Sequence, residues 1–536
     1  MLPMRLTMIP AFLTMLIFLF PLILIIKWKF HGKSCKQTPA LPPGPTPWPI
    51  VGNLPEMWRN KPAFRWIHGL LESLNTEIAC ISLGGVHVIP VTSPELAREF
   101  LKKHDIVFAS RPVFLSNKYA SRGFKSTVLV PWGDQYKKMK KLVASQIINS
   151  KTTQWLLNKR TEEADNLVRF IYNQCKNAAI DHSLADDQSI SGSVVDVRLA
   201  TRHYCGNVIR KMIFNRRYFG KGKKDGGPGV EEVEHIESLF TILIHLSAFA
   251  LSDYLPCLTA LDLDGHGKIV SEAMKIVTSY EDPIVDDRLR QWRDGEKTEA
   301  EDLLDAFILA KDSNGKAAFS VEEIKAQITE LMLATVDNPS NCIEWTLAEM
   351  LNQPELLQKA KRWVEESDIP QLNYVKACAR EGFRLHPVAP FNVPHVSMQD
   401  ATVAGYFIPK GSHVILSRYG LGRNPHVWKE PFRFKPDRHL KKEDGSSMAD
   451  DREVELAEHE LRFISFSTGR RGCMGIALGS AMTMMLLARL LQGFSWSLPP
   501  NQEEIDLSES ANELFMAKPL LAHAKPRLAA SLYPAE

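Results

Sequence analysis

Ten residues near the C-terminus, Phe466-Ser467-Thr468-Gly469-Arg470-Arg471-Gly472-Cys473-Met474-Gly475, constrain this chain more than any other segment. Glycines interrupt any regular element there, and an apolar run of good helix formers, Ile476 to Phe494, follows directly. A cysteine in a turn that opens a helix lies where the helix dipole and free N–H groups stabilise a thiolate, and a thiolate can ligate a metal. Gly469, Gly472, Gly475 and Gly479 leave room for a flat macrocycle against the backbone, with Arg471 placed to bind an acidic group on it. The ordinary fate of a lone cysteine is a buried core thiol. Against that fate stands the pattern FxxGxRxCxG, whose five fixed positions arise by chance on the order of 10⁻⁴ times per sequence of this composition.

The other end of the chain carries a second constraint. No residue from Leu6 to Ile26 is charged, and a helix of that length spans about 31 Å, a bilayer core. Arg5 alone precedes the run, whereas Lys27, Lys29, Lys33 and Lys36 follow it, so the positive-inside bias leaves the bulk of the chain in the cytosol. A cleaved signal peptide has the reverse flanks and a shorter apolar region. Residues 1–36 therefore read as a single transmembrane anchor with its basic flank. The stretch Leu41-Pro42-Pro43-Gly44-Pro45-Thr46-Pro47-Trp48-Pro49 favours extended polyproline geometry, and 37–50 read as a stiff hinge.

With 65 Lys+Arg against 62 Asp+Glu, the net charge of +3 excludes a nucleic-acid binder driven by bulk charge. A hydrophobic share of 45% and a charged share of 24% are those of a packed globular protein. Length alone suggests three or four domains of about 150 residues. No second linker or internal repeat follows the hinge, so 51–536 read as one large domain. The 8 cysteines show no CxxC and no His/Cys cluster at zinc spacing, which fits a reducing cytosol. Helical spacing marks Pro94 to Lys103 after a Ser93 cap, Glu231 to Leu246, and Glu322 to Leu333. Strand patterns mark Ile78 to Ile89 and Ala401 to Ile415, and the polar tracts Gly220 to Gly229 and Lys441 to Asp451 read as exposed, mobile loops. The domain is thus mainly α with small β-sheets.

The segment around Cys473 resembles the cytochrome P-450 family, which implies that Cys473 is the axial thiolate ligand of the iron of haem b, pushing electron density toward O–O cleavage. Phe466, Gly469, Arg471 and Gly475 belong to the same cofactor-binding motif. Further motifs follow the family's order. Glu381-Gly382-Phe383-Arg384 places a carboxylate and a guanidinium on one helix face. With Arg438 of Phe434-Lys435-Pro436-Asp437-Arg438-His439, the resemblance makes Glu381 and Arg384 a structural lock. Tyr136-Lys137-Lys138-Met139-Lys140 stands where the family has WxxxR, which puts Lys140 on a haem propionate in place of Arg.

The oxygen-side helix implied by the resemblance is Glu322 to Leu351. Most members carry an acid followed by Thr there, the hydroxyl relaying protons toward oxygen. This chain has Asp337, Asn338 and Pro339. Proline frees the Thr335 carbonyl, and Asn338 can replace the missing hydroxyl as a hydrogen-bonding group. Asn-Pro can equally end one helix and begin another, although the apolar spacing continues through Ile343 and Leu347. These departures are similar to the plant aldoxime-forming branch that N-hydroxylates amino acids, as is Phe391-Asn392-Val393-Pro394-His395. His395 stands where other plant members have a propionate-binding Arg.

What that branch implies is two successive N-hydroxylations of an L-amino acid, then loss of water and CO2 to give an aldoxime for cyanogenic glucoside, glucosinolate or volatile synthesis. Electrons come from NADPH through a membrane-bound NADPH–cytochrome P-450 reductase, O2 is the co-substrate, and the site of action is the endoplasmic reticulum membrane. The basic run Lys137 to Lys141 with Arg470 and Arg471 is a candidate docking face, or else a solvated helix face. Expected pocket segments, Phe114 to Val128, Ala334 to Pro339, Val388 to Val393 and Leu514 to Met516, are largely apolar, favouring an aromatic or aliphatic substrate. Phenylalanine leads, with valine, isoleucine, leucine, tyrosine and tryptophan as alternatives. Between Ala360 and Tyr374 the chain is about a dozen residues shorter than the family pattern. Two rival readings are a haem-thiolate isomerase or dehydratase that needs no O2, and an anchored haem-binding protein without turnover.

Overall fold

The computed structural model describes residues 39–181, 192–246, 248–366, 372–440 and 453–534. The anchor read at 1–36, the whole tract Lys441 to Asp451, and residues 367–371 of the shortened stretch lie outside the described residues. The helices that matter for the site are α1 (Asp134–Leu142), α2 (Leu157–Asp181), α3 (Val197–Phe214), α4 (Val230–His245), α5 (His266–Arg293), α6 (Val321–Leu351), α7 (Asn373–Leu385), α8 (Arg418–Gly422) and α9 (Ile476–Gly493). Strands are short: β1 (Ile81–Leu83), β2 (Val86–Val91), β3 (Ser193–Asp196), β4 (His395–Val396), β5 (Ala401–Val403), β6 (Tyr406–Ile408), β7 (His413–Leu416), β8 (Phe494–Ser497) and β9 (Leu521–Pro526). They form sheets ordered β1-β2-β7-β4, β3-β9-β8 and β5-β6. Only β2 and β7 pair in parallel among the described residues, Val88 opposite His413. The mainly helical reading with small sheets holds.

Helix α6 forms the axis of the domain. Ser320 opens it with a capping box: its hydroxyl accepts from Glu323 N at 3.3 Å while the Glu323 carboxylate accepts from Ser320 N at 2.8 Å. The helix runs unbroken through Pro339, so Asn338-Pro339 does not divide it. Most of its residues are buried, including fully buried Trp345, which donates to the Leu514 carbonyl at 3.1 Å and stacks on His386 at 4.0 Å. Helices α3, α7 and α9 pack around it. Helix α9 is long and apolar enough to cross a membrane, yet 56% of it is buried and it belongs to the core.

Two sequence expectations are corrected. The proline stretch is not a free hinge. Cys80 N donates to the Pro43 carbonyl at 2.9 Å, Phe407 N donates to the Ala40 carbonyl at 3.0 Å, and a Cβ on Gly44 would lie 1.9 Å from the Cys80 carbonyl oxygen. Residues 40–44 are therefore laid onto the sheets as part of the domain. The tract Gly220 to Gly229 is exposed only in its first half. Buried Glu232 accepts from Gly220 N at 3.3 Å and from Gly229 N at 3.0 Å, tying the tract's two ends together, and Tyr218 donates to the Gly226 carbonyl at 2.8 Å.

The lock on α7 is fully built. Arg384 grips the Glu381 carboxylate with two bonds, 2.8 and 2.7 Å, and Arg438 Nε adds a third at 3.0 Å. A fourth comes from His439 Nε2 at 2.8 Å, a partner that its sequence position beside Arg438 alone does not single out. Arg384 also donates to the carbonyls of Gly422, Pro431 and Arg433. Glu381 and Arg384 are both 0% exposed. Burial by itself raises a carboxylate pKa, but hydrogen bonds from Arg384 and His439 win and hold Glu381 well below the usual carboxylate range. Gly382 brings α7 against α6, since a Cβ there would meet Thr346 Oγ1 at 2.3 Å. Whatever the shortened stretch omits, α7 packs without it. Glu381→Ala leaves the buried Arg384 guanidinium, and the partly buried Arg438, without their carboxylate and is expected to cost about 3–5 kcal/mol. Chemical denaturation of the holoprotein checks this, and a loss under about 1 kcal/mol speaks against a lock.

Candidate active site

The turn before α9 holds Cys473 in a defined position. Gly469 to Arg471 make one 3₁₀ turn, Cys473 N donates to the Phe466 carbonyl at 3.0 Å, and Gly475 N donates to Cys473 Sγ at 3.3 Å. Gly469 adopts φ +73 and approaches Leu101, where a Cβ would lie 2.5 Å from the carbonyl oxygen. A Cβ on Gly479 would lie 3.2 Å from the Phe466 ring, which packs edge-on against Phe383. The room left by Gly469 and Gly479 is thus taken by the protein itself. Gly475 contributes its N–H to the sulfur instead.

Helix α1 grips this turn from outside. Tyr136 donates to the Arg470 carbonyl at 2.5 Å and Lys140 Nζ donates to the Gly472 carbonyl at 2.8 Å. Lys140 therefore holds the backbone immediately before Cys473, where the resemblance had placed it on a propionate. The Tyr136 ring also lies 3.6 Å from the Arg471 guanidinium centre, a close cation–π contact. Arg471 donates to the carbonyls of Ala109 at 2.5 Å, Thr127 at 3.4 Å and Val130 at 2.7 Å.

A second buried arginine, unmarked in sequence, joins it. Arg111 donates to the carbonyls of Val128 at 3.2 Å, Val393 at 2.8 Å and Pro394 at 2.9 Å. Burial and the Arg471 charge push the Arg111 pKa well down, and burial lowers Arg471 to about 10. His395 is buried in β4, and its Nδ1–H donates to the Phe108 carbonyl at 2.7 Å. Burial and Arg111 keep this imidazole neutral, so Nε2 is an acceptor rather than a donor to an anion. The expected propionate contact of His395 thus requires a protonated ring. Arg111, Arg471 and Lys140 act on one another as like charges, with buried Glu330 the nearby carboxylate. Glu330 accepts from Ser126 Oγ, Thr127 N and Val128 N, fixing the segment before α1 onto α6.

Cys473 is exposed, yet protein atoms crowd it enough for burial to raise its thiol pKa against the opposing Gly475 N–H and Lys140 charge. Both facts hold for a sulfur facing an internal cleft. Ala334 on α6 and Ile476 on α9, each on a core helix, are exposed too. Unpaired polar atoms gather along α6: Asp337 Oδ1 and both side-chain polar atoms of Asn341 have no hydrogen-bond partner among the described residues. Burial raises Asp337 to about 7, against the lowering charges of Arg202 and Arg418. Asn338 Nδ2 donates weakly to the Ala334 carbonyl at 3.4 Å, and Pro339 removes the backbone donor of the Thr335 carbonyl. An accessible sulfur, three cations with a single nearby carboxylate and orphaned polar atoms together fit a haem with its two acidic side chains. The open surface clefts near Trp66 and near Arg423 contain none of these residues.

Other expected residues serve packing. Phe391 stacks on His68 at 5.4 Å and meets Phe249 at 6.1 Å, while Asn392 Oδ1 accepts from Leu416 N at 2.7 Å. Phe515 packs against Phe240 at 5.9 Å with Arg202 over both rings. The basic run is not one solvated face: Lys138 pairs with Glu323 at 2.7 Å and Lys140 turns into the cysteine loop.

Residues 42–525 match the sequence model of the family described as cytochrome P-450. The chain is 58% identical to a tryptophan N-monooxygenase of Prunus mume over 97% of its length and 96% of the relative. It is 56% identical to a phenylalanine N-monooxygenase of Arabidopsis thaliana, over 97% of this chain and 98% of the relative. A tyrosine N-monooxygenase of Sorghum bicolor is 56% identical over 94% of this chain and 90% of the relative. Among solved structures, a zebra fish cytochrome P-450 with abiraterone superposes with a TM-score of 0.64 at 22% identity, covering 87% of this chain and 100% of that one, a likeness of fold.

Two outcomes follow for the site. Cys473→Ser is expected to abolish the thiolate-type band of the reduced, CO-bound protein, and an unchanged spectrum refutes the ligand assignment. Asp337 has a folded pKa of about 7 against an ordinary 3.8, so the folded state keeps a proton that the unfolded state gives up. Stability therefore falls as pH rises from about 4 to about 7 and is level above. Asp337→Asn is expected to remove that slope, gaining at pH 8 at most about 4 kcal/mol over the parent and little at pH 4. Parallel denaturation curves at both pH values measure it.

Proposed function

The chain belongs to the cytochrome P-450 family, and on that premise we propose that it hydroxylates the nitrogen of an L-amino acid twice and releases the aldoxime with loss of water and CO2. Full-length likeness to relatives named for amino-acid N-oxygenation supports the reaction. The observation that carries it at the site is Asn338-Pro339 in the middle of unbroken α6, where the resemblance expects an acid and Thr. Haem b would be held by Cys473, with Arg111, Arg471 and Lys140 the cations available to its acidic groups, and would supply the activation of O2 with electrons from NADPH.

The chain's own residues do the remaining work. Asp337 holds a proton below about pH 7 and can release it above, a value suited to proton delivery near neutrality. The Thr335 carbonyl, freed by Pro339, and the Asn338 amide offer hydrogen bonds to water or substrate on the cleft side of α6. The largely apolar segments expected to line the pocket support an aromatic or aliphatic side chain. L-Phenylalanine remains the leading substrate, with tryptophan, tyrosine, valine, isoleucine and leucine as alternatives. Residues 6–26 would anchor the chain in the endoplasmic reticulum membrane with the haem domain cytosolic. The exposed Lys137, Lys141 and Arg470 are proposed as the docking face for the flavoprotein reductase.

Membranes containing the full chain, NADPH and reductase, offered the protein amino acids one at a time, are expected to yield an aldoxime from phenylalanine or another of these amino acids. Absence of any aldoxime from a preparation with the thiolate CO band refutes the reaction. Product formed without NADPH and reductase would favour the isomerase or dehydratase reading.

A further inference from the structure

We propose that the guanidinium of Arg418 receives the α-carboxylate of the amino-acid substrate, an inference that rests on the function proposed above. Arg418 opens α8 directly after β7, and its backbone is fixed from several sides. Its N–H donates to the Pro390 carbonyl at 2.9 Å, in the segment expected to line the pocket. Ser417, immediately before it, caps α8 by accepting from Gly420 N at 2.7 Å and is itself bonded to His68 Nε2 at 2.5 Å. Ser417 N donates to the Val91 carbonyl at 2.8 Å, so the helix start is stitched to the sheet.

The side chain, by contrast, is uncommitted. Its Nε is buried without a hydrogen-bond partner, and no ion pair or side-chain hydrogen bond is made by Arg418 among the described residues. The other interior arginines are engaged: Arg384 on Glu381, and Arg111 and Arg471 on backbone carbonyls. Arg202 lies over the Phe240 ring at 3.6 Å, with Glu344, Asp337 and Asp196 the carboxylates that act on it. An uncompensated guanidinium in the interior is costly unless an anion arrives with the ligand.

Two charges act on Arg418: Asp337 on the oxygen-side helix and the Cys473 sulfur. Both lie within electrostatic range of its guanidinium. The cations suited to the acidic groups of haem are those of the cluster Arg111, Arg471 and Lys140, which act on one another. An amino acid brings one planar carboxylate whatever its side chain, and the fork of guanidinium N–H groups matches it. Relatives named for tryptophan, phenylalanine, tyrosine, isoleucine and valine need a feature that all these amino acids share.

The test uses the full-length holoprotein and two pairs of probes, L-phenylalanine with L-phenylalaninamide and L-tryptophan with L-tryptophanamide. Each pair keeps the amine and side chain and differs in the charge of the carboxyl group. Binding is read from the absorbance change of the haem on titration. The parent is expected to prefer the acid over the amide, and Arg418→Gln is expected to weaken binding of the acid by about 10-fold or more while changing the amide less than about threefold. Arg418→Lys, which keeps the charge without the fork, is expected to lie between them and serves if the glutamine variant fails to take up haem. Discrimination retained by variants with an intact thiolate CO band overturns the proposal. So does a variant whose defect is loss of haem with acid-over-amide preference unchanged, which would place Arg418 on the prosthetic group. If the parent neither binds nor converts any amino acid, the failure belongs to the proposed function.

Discussion

A carboxylate with no exposure to water, that of Glu381, is the charge around which the thiolate half of the domain is arranged. Desolvation alone would neutralise it. Arg384, Arg438 and His439 keep it ionised, and the same arginines reach on to carbonyls of Gly422, Lys429, Pro431 and Arg433. One buried ion therefore fixes helix α7, the end of α8 and the loop that precedes the cysteine segment. Because α7 also presses Gly382 against α6, the lock fixes α7 against the helix that carries Asp337.

The second electrostatic feature runs the other way. Around the cysteine turn the protein gathers Arg111, Arg471 and Lys140 with little negative charge of its own, and it ties each to backbone carbonyls. Carbonyl dipoles orient a guanidinium without cancelling its charge, so the field remains available to an acidic ligand. The lock is closed on itself, whereas the cation cluster is open. That difference separates a structural charge network from a binding one, although both are made from the same residue types.

The oxygen side follows from one backbone fact. Proline at 339 removes a hydrogen bond inside a long helix without ending it, because packing against α3, α7 and α9 holds the helix on both sides of the gap. A local sequence rule would have broken the helix there. The tertiary contacts override it, and the helix continues with the Thr335 carbonyl freed of its backbone donor. Likewise the proline stretch at 40–44 reads locally as a spacer, but hydrogen bonds to Cys80 and Phe407 make it part of the domain wall.

By itself the amino-acid sequence determined the helical class, the cysteine turn opening α9, the pairing of Glu381 with Arg384, and the oddity of Asp337-Asn338-Pro339. Each of these rests on neighbours within a few residues, where spacing is geometry. It did not determine that His439 is the fourth arm of the lock, that Lys140 holds a carbonyl, that His395 is neutral, or that Arg111 joins Arg471. Those depend on which distant segments meet, and a side chain's charge, partners and exposure are set by that meeting. Arg418 shows the point most sharply: in sequence it is one of 65 basic residues, and only the folded chain leaves its Nε buried and, among the described residues, without a hydrogen-bond partner.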